Sequence, residues 1–216
     1  MSFEEDMQLA ARAADEAVRA TMRDYSRGGI VDEPEITGVL VGQMAARIDG
    51  QIGGLEWNTR IIRNGKGKAA EEKRTGADLL IHVTLNTPEE RYSKGVLIQA
   101  KRCEPDEELS KGEMARLQGQ CDKMLDRTSQ AYVFTYAKGS MRCGPANRFT
   151  AAPNGHLYRR CSWTPYRFFL ELFRCPVGDR AITSHEPEKL PEPRIIALSG
   201  YAERPIDLDR DRPQRA

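Results

Sequence analysis

Long apolar runs are missing from this sequence. No segment of the 216 residues approaches the roughly 20 consecutive apolar residues that a membrane-spanning helix needs. The N-terminus, MSFEEDMQLA, also lacks the basic start and the apolar run of a secretory signal. These two absences favour a cytoplasmic protein that does not enter a membrane.

An excess of charge of one sign is missing as well. The 33 Lys and Arg residues face 32 Asp and Glu residues, which leaves a formal net charge of +1. This balance argues neither for nor against nucleic acid as a partner, because local patches decide such binding. Hydrophobic residues make up 39% and charged residues 30% of the chain, which favours a globular fold over disorder or a fibre.

The cysteines show no pairing pattern. There are five of them, an odd number, and no two form a CxxC pair. This usage predicts reduced thiols rather than a disulfide framework. Together with His156, the spacing of the last three cysteines fits no closed zinc site.

Apolar periodicity predicts an α/β fold. Helices are predicted over 3–24, 32–50, 108–127 and 162–175, and strands over 54–64, 77–85, 96–101 and 130–137. Ser110 and Glu113 form a possible capping box in the third helix, and the aromatic side chains of the fourth are expected to pack on the core. Loops join the first three strands, which favours an antiparallel meander, and the third helix then crosses over to a strand parallel to the third. These elements predict a mixed central sheet flanked by helices.

The composition divides the chain into three predicted parts. Residues 1–29 form an N-terminal helix and linker, 30–180 the main domain, and 181–216 a Pro-rich, largely irregular C-terminal tail. Two interpretations of the first helix stay open. It packs on its own domain, which is favoured, or on a second copy of the chain.

Polar residues occupy the ends of the two most apolar strands. Asp78 lies near the start of GADLLIHVTL (76–85), and Gln99 and Lys101 lie near the end of GVLIQAKR (95–102). Antiparallel pairing puts the start of one strand beside the end of the next, so these side chains are expected to meet. An unpaired buried ammonium would cost several kcal/mol, so Lys101 needs water or an anionic partner. A structural Asp–Lys pair that closes the sheet edge is one outcome, and a functional site is the other.

These residues and their order resemble a known superfamily. Glu35 on the first core helix, GAD at the opening of the second strand and QAK at the end of the third are similar to the PD-(D/E)XK nucleases. The resemblance is strongest to the restriction-endonuclease-like, Mrr-like branch, in which glutamine replaces an acidic residue. It covers residues 32–137, and Ala77 stands where other members carry proline. The resemblance implies an αβββαβ core with an N-terminal helix and a C-terminal helical or irregular extension.

The resemblance also implies an activity and a site. The chain would be a Mg²⁺-dependent endodeoxyribonuclease, with Mn²⁺ as a possible substitute, acting in restriction or anti-phage defence. Asp78, Gln99, the Ala100 carbonyl and Glu35 would hold the metal, and Lys101 would hold or deprotonate the attacking water. DNA would be the substrate, and a homodimer or a regulatory or defence-system partner is possible. The alternative is a catalytically silent nucleic-acid- or partner-binding module with the same fold.

Several further residues are open candidates. Glu56 rivals Glu35 as the additional carboxylate, and Gln118 and His82 are candidates for the site edge, although a hydrogen-bonded sheet histidine is the favoured interpretation of His82. Basic residues in 60–74 could follow phosphates or form a solvated loop. A second basic region, 142–160, contains Phe149 and Tyr158, for which packing is favoured over base stacking.

Overall fold

The computed structural model describes residues 2–63, 75–151, 156–182, 192 and 194–202. The helices are α1 (Phe3–Ser26), α2 (Glu33–Ile48), α3 (Lys111–Leu125), α4 (Leu157–Arg160) and α5 (Pro165–Phe173). The strands are β1 (Gly50–Ile52), β2 (Leu55–Arg63), β3 (Leu79–Asn86), β4 (Arg91–Arg102), β5 (Ala131–Ala137), β6 (Ser140–Pro145) and β7 (Arg194–Tyr201). None of the helices in this described part has the length and apolar character that crossing a membrane requires.

The seven strands form one mixed sheet in the order β1-β2-β7-β3-β4-β5-β6. The pair β3–β4 is antiparallel, and β4 is joined through α3 to the parallel strand β5, as predicted. The predicted α/β architecture, a mixed sheet flanked by helices, is therefore confirmed. The short strands β1 and β6 and the helix α4 were not predicted from the sequence.

Strand β7 overturns two predictions. It lies between β2 and β3, antiparallel to the first and parallel to the second, so the predicted three-strand meander is wrong. The prediction of a largely irregular tail is also wrong for Arg194–Tyr201, which runs through the centre of the sheet. The physical reason is its apolar run: Ile195 is buried against one helix layer, and Ile196 and Leu198 against the other. A strand that is apolar on both faces is stable only where both faces are covered.

Two helix layers cover the sheet. Helices α1, α2 and α5 contribute Ala14, Leu40 and Phe168, among others, to a core on one face. Helix α3 contributes Leu117 and Cys121 to a second core on the other face. Helix α1 thus packs on its own chain, which confirms the favoured interpretation, and α5 packs its aromatic side chains on the core as predicted.

Helix α3 begins at the predicted capping box. The Ser110 hydroxyl accepts a hydrogen bond from the Glu113 backbone N–H at 3.2 Å, and the Glu113 carboxylate accepts one from the Ser110 N–H at 3.0 Å. These two bonds satisfy N–H groups that have no partner within the helix, and they place the start of α3. The first turns of α2 and α3 both border the candidate site described next.

Candidate functional site

Asp78, Gln99 and Ala100 meet where β3 begins and β4 ends. The Asp78 N–H donates to the Ile98 carbonyl at 2.9 Å and holds this residue against β4. One oxygen of its carboxylate, Oδ2, accepts hydrogen bonds from the Ala100 N–H at 2.9 Å and from the Gln99 side-chain amide. The predicted approach of Asp78 to the QAK segment is therefore confirmed.

The Gln99 side chain is fully buried and only half satisfied. Its Nε2 donates to the Asp78 carboxylate and, at 2.9 Å, to the Ala100 carbonyl. Its Oε1 has no hydrogen-bond partner among the described residues, and a buried acceptor in that state costs about 1–3 kcal/mol. A half-turn of the amide exchanges the oxygen and nitrogen, and three oxygens would then face one point. Such a set suits a hard cation such as Mg²⁺.

The candidate cation site contains little charge. Within the described residues, no group of three or more His, Cys, Asp and Glu side chains is close enough to hold a metal ion. The donors at Asp78, Gln99 and Ala100 comprise one carboxylate, one amide and one backbone carbonyl. They fit a single Mg²⁺, which keeps several water ligands of its own, better than a pair of metal ions.

Lys101 pairs with a carboxylate that was not predicted. Its Nζ lies 3.2 Å from Oε1 of Glu33, and the second Glu33 oxygen accepts a hydrogen bond from the Arg102 N–H at 2.9 Å. Both side chains are largely buried, with 16% of Lys101 and 26% of Glu33 exposed. The ammonium is therefore held in place by α2.

Glu35 lies on a different face of α2. Its carboxylate accepts a hydrogen bond from the Val31 N–H at 3.0 Å, and its side chain is exposed. Glu33 precedes the buried Ile36 by three residues and therefore shares its helix face, whereas Glu35 does not. This phase was the signal in the sequence that distinguishes Glu33 from the predicted Glu35.

Glu35 and Lys101 nevertheless border the same cavity. It has a volume of about 680 Å³, and its wall includes Glu33, Arg102 and Arg116 as well. Residues from the first turns of α2 and α3 line it, so the positive ends of two helix dipoles are nearby. Because carboxylates and cations both line this cavity, an anionic group would be stabilised only next to Lys101, Arg102 or Arg116.

The rival candidates lie elsewhere or have structural roles. Glu56 of β2 is paired with Tyr201 of β7, and Tyr201 is level with Asn86 at the end of β3. Glu56 therefore lies at the end of the sheet opposite to Asp78, which precedes the start of β3. His82 Nε2 lies 3.2 Å from Ser93 Oγ, and burial lowers the pKa of this histidine. The favoured interpretation of His82 as a hydrogen-bonded sheet residue is confirmed.

The two basic regions are only partly placed. Lys66, Lys68, Lys73 and Arg74 lie outside the described residues. In the second region, Phe149 is fully buried, which confirms packing as its role. Arg142 lies 5.9 Å from the centre of the Tyr158 ring. Gln118 is half-buried on α3.

Arg194, which was not predicted, borders the site from β7. Its Nη1 donates to the Pro34 carbonyl in the first turn of α2 at 3.1 Å. Burial, followed by the neighbouring Arg63 cation, lowers the pKa of Arg194. Arg194 was not a candidate from the sequence, because its segment was assigned to the irregular tail.

Gly76 permits the turn that delivers Asp78 to the site. It has a φ of +74°, and a Cβ added there would lie 2.3 Å from the Gln120 carbonyl oxygen in α3. The left-handed backbone costs other residues about 1–2 kcal/mol, and the backbone overlap forces a further displacement. Glycine is therefore required both for the turn and for the close approach of α3.

Substitution of this glycine should weaken the fold. For Gly76→Ala we expect a loss of about 2–5 kcal/mol in the free energy of unfolding, from backbone strain and overpacking together. Urea denaturation followed by circular dichroism measures it. Gly119→Ala is the matched control, because Gly119 lies within α3 and an added Cβ would have no heavy atom within 4 Å beyond its chain neighbours and its own helix backbone. It should gain up to about 1 kcal/mol. Equal effects of the two substitutions would contradict this account of Gly76.

Comparisons of the chain with protein-family models, with curated proteins and with solved structures found no match. Fold and site define the chain as an α/β protein with a polar centre at one end of its sheet.

Proposed function

We propose that this chain is a metal-dependent nuclease that hydrolyses phosphodiester bonds in DNA. The observation that supports it best is the convergence of the Asp78 carboxylate, the Gln99 amide and the Ala100 carbonyl at one point. Lys101 follows in the same strand and is held on the wall of the adjacent cavity. A role in restriction or anti-phage defence, a cytoplasmic location and association with a second copy or a defence-system partner belong to the same proposal.

Each residue of the site would have a separate role in hydrolysis. Asp78, whose Oδ2 is oriented by the Ala100 N–H, would hold the cation together with the Gln99 side-chain oxygen and the Ala100 carbonyl. Lys101, positioned by Glu33, would orient the attacking water and offset the negative charge that develops on the phosphate. A bound Mg²⁺ would supply Lewis-acid polarisation of the phosphoryl oxygen.

Glu35 has a smaller part in this proposal than the resemblance implies. Its carboxylate borders the cavity, from which it would contact the cation through water. Glu33 contacts Lys101 directly and is the carboxylate of α2 that we assign to the positioning of the lysine. Neither carboxylate replaces Asp78 as the principal ligand.

A second candidate function is favoured by one observation. Apart from Gln99 Oε1, the polar groups described at the site are paired with one another, because Asp78 accepts from Gln99 and Ala100 while Lys101 pairs with Glu33. A catalytically silent module that binds nucleic acid or a protein partner would have such a closed arrangement. It would bind DNA in a salt-sensitive manner without cutting it.

Cleavage should depend on a divalent cation. We expect purified protein to cut supercoiled plasmid and linear duplex in Mg²⁺ or Mn²⁺, to stop in EDTA, and to resume when Mg²⁺ is added in excess. Agarose gels measure the products over time. Cleavage that persists in EDTA would contradict a metal-dependent mechanism. Salt-sensitive binding without any cleavage would favour the silent module.

A further inference from the structure

Two arginines stand side by side at the site end of the sheet. Arg63 of β2 is paired directly with Arg194 of β7. On its other side, β7 is parallel to β3 with Ile195 beside Leu80, so Arg194 lies level with Leu79, the residue after Asp78. The insertion of β7 thus brings a pair of cations next to the Asp78 site.

The two side chains share one face of the sheet. Directly opposed residues in an antiparallel pair point to the same side, with Cβ atoms about 4.5–5.5 Å apart. Arg194 reaches the first turn of α2 at Pro34, and a Cβ on Gly38 would lie 3.6 Å from its Nη2. The guanidinium of Arg194 therefore lies over the N-terminal part of α2, whereas Arg63 is exposed at the sheet end.

This arrangement is unfavourable for the isolated protein. Like charges directly opposite each other destabilise a sheet, and Arg194 is also half-buried. Among the described residues its one hydrogen bond is to Pro34, although a guanidinium has five N–H donors. The Asp78 carboxylate offsets part of the charge on Arg194. An anion bound between the two arginines would relieve their repulsion and use the remaining donors.

A backbone phosphate fits this pair better than a halide. The guanidinium fork binds phosphate with two parallel hydrogen bonds, and the two non-bridging oxygens of a phosphodiester can accept from both arginines. A DNA strand with one phosphate at Asp78 and Lys101 carries further phosphates on either side. The arginine pair stands at the same end of the sheet as Asp78, with Arg194 level with Leu79, where such a neighbour would pass.

We propose that Arg63 and Arg194 form a phosphate-binding pair that holds the DNA backbone beside the scissile phosphate. This inference rests on the proposed function for its substrate. It assigns to β7 a second task besides completing the sheet, which is to position substrate. The pair is distinct from the Asp78, Gln99 and Lys101 centre, because it binds the strand and does not take part in bond cleavage.

The salt dependence of DNA binding tests the pair without any cleavage. A short fluorescein-labelled duplex is titrated with Arg63→Gln, Arg194→Gln and the double variant in EDTA at several salt concentrations, with fluorescence anisotropy as the readout. The double variant should reduce the magnitude of the slope of log K against log salt by about 0.9, which corresponds to one phosphate contact, and each single variant should reduce it by part of that amount. Arg19→Gln is the control, because Arg19 is exposed on α1 and paired with Asp15, and it should leave the slope unchanged.

The outcomes separate this inference from the proposed function. Arg63 is exposed, so Arg63→Gln should fold, and thermal melts check this. An unchanged slope in the folded Arg63→Gln variant would overturn the phosphate-binding role of the pair even if the wild type cuts DNA. Reduced slopes in a protein that never cuts DNA would support the pair and remove the nuclease proposal. Calorimetric titration with inorganic phosphate should show much weaker binding than the duplex does, because a free anion lacks the neighbouring phosphates of a strand. Phosphate binding as tight as that of the duplex, abolished by Arg194→Gln, would assign the pair to a small anion and overturn the backbone contact.

Discussion

Asp78→Asn should abolish DNA cleavage and leave the protein folded. The asparagine oxygen can still accept the hydrogen bond from the Ala100 N–H, so the junction of β3 and β4 keeps this contact. The substitution removes the carboxylate that directly joins Gln99 and Ala100. Loss of several kcal/mol of transition-state stabilisation corresponds to a rate lower by about 10³-fold or more. Initial rates of plasmid nicking in Mg²⁺ measure the loss.

Asp78→Ala tests the role of Asp78 less cleanly than Asp78→Asn, because it removes a hydrogen-bond acceptor as well as the charge. Alanine would leave the buried Ala100 N–H and the Gln99 amide without this acceptor, which costs about 1–3 kcal/mol of stability for each unmet group. Thermal melts should therefore show Asp78→Ala below Asp78→Asn. An Asp78→Asn enzyme with the wild-type rate and the wild-type dependence on Mg²⁺ concentration would contradict the assignment of Asp78 as the principal ligand.

Lys101→Met should lower the cleavage rate by about 10²- to 10⁴-fold, the range of a well-placed proton-transfer or water-orienting group. Methionine has a similar length and keeps the apolar contacts of the lysine stem, so the loss reports on the ammonium. Single-turnover rates at saturating protein separate this effect from weaker DNA binding. Lys138→Met, at an exposed lysine between β5 and β6, is the matched control and should cleave at the wild-type rate.

Glu33 should act through Lys101, and a double-mutant cycle shows whether it does. Glu33→Gln keeps an acceptor for the Arg102 N–H but removes the charge that holds the Lys101 ammonium. We expect it to slow cleavage in the wild-type background and to shift the pH–rate profile. In the Lys101→Met background it should have no further effect. Additive losses would instead make Glu33 an independent part of the site.

The sequence alone determined most of the elements and the meeting of Asp78 with the QAK segment. Helical and strand periods are local signals, and the Ser110–Glu113 box located the start of α3 from neighbouring residues alone. Asp78 and Gln99 lie on strands joined by a short loop, so antiparallel pairing was enough to bring them together. These predictions succeeded because each depended on residues close together in the chain or on neighbouring strands.

Only the tertiary structure decided which distant segments complete the centre. The RIIAL run of β7 is short and lies in a Pro-rich segment, so its local composition did not reveal that both of its faces would be buried between β2 and β3. That insertion separates β2 from β3 and delivers Arg194 beside Asp78. The contact of Glu33 with Lys101 likewise required the packing of α2 beside the end of β4, although the helix phase already distinguished Glu33 from Glu35. Long-range pairing and burial, rather than local propensity, made these decisions.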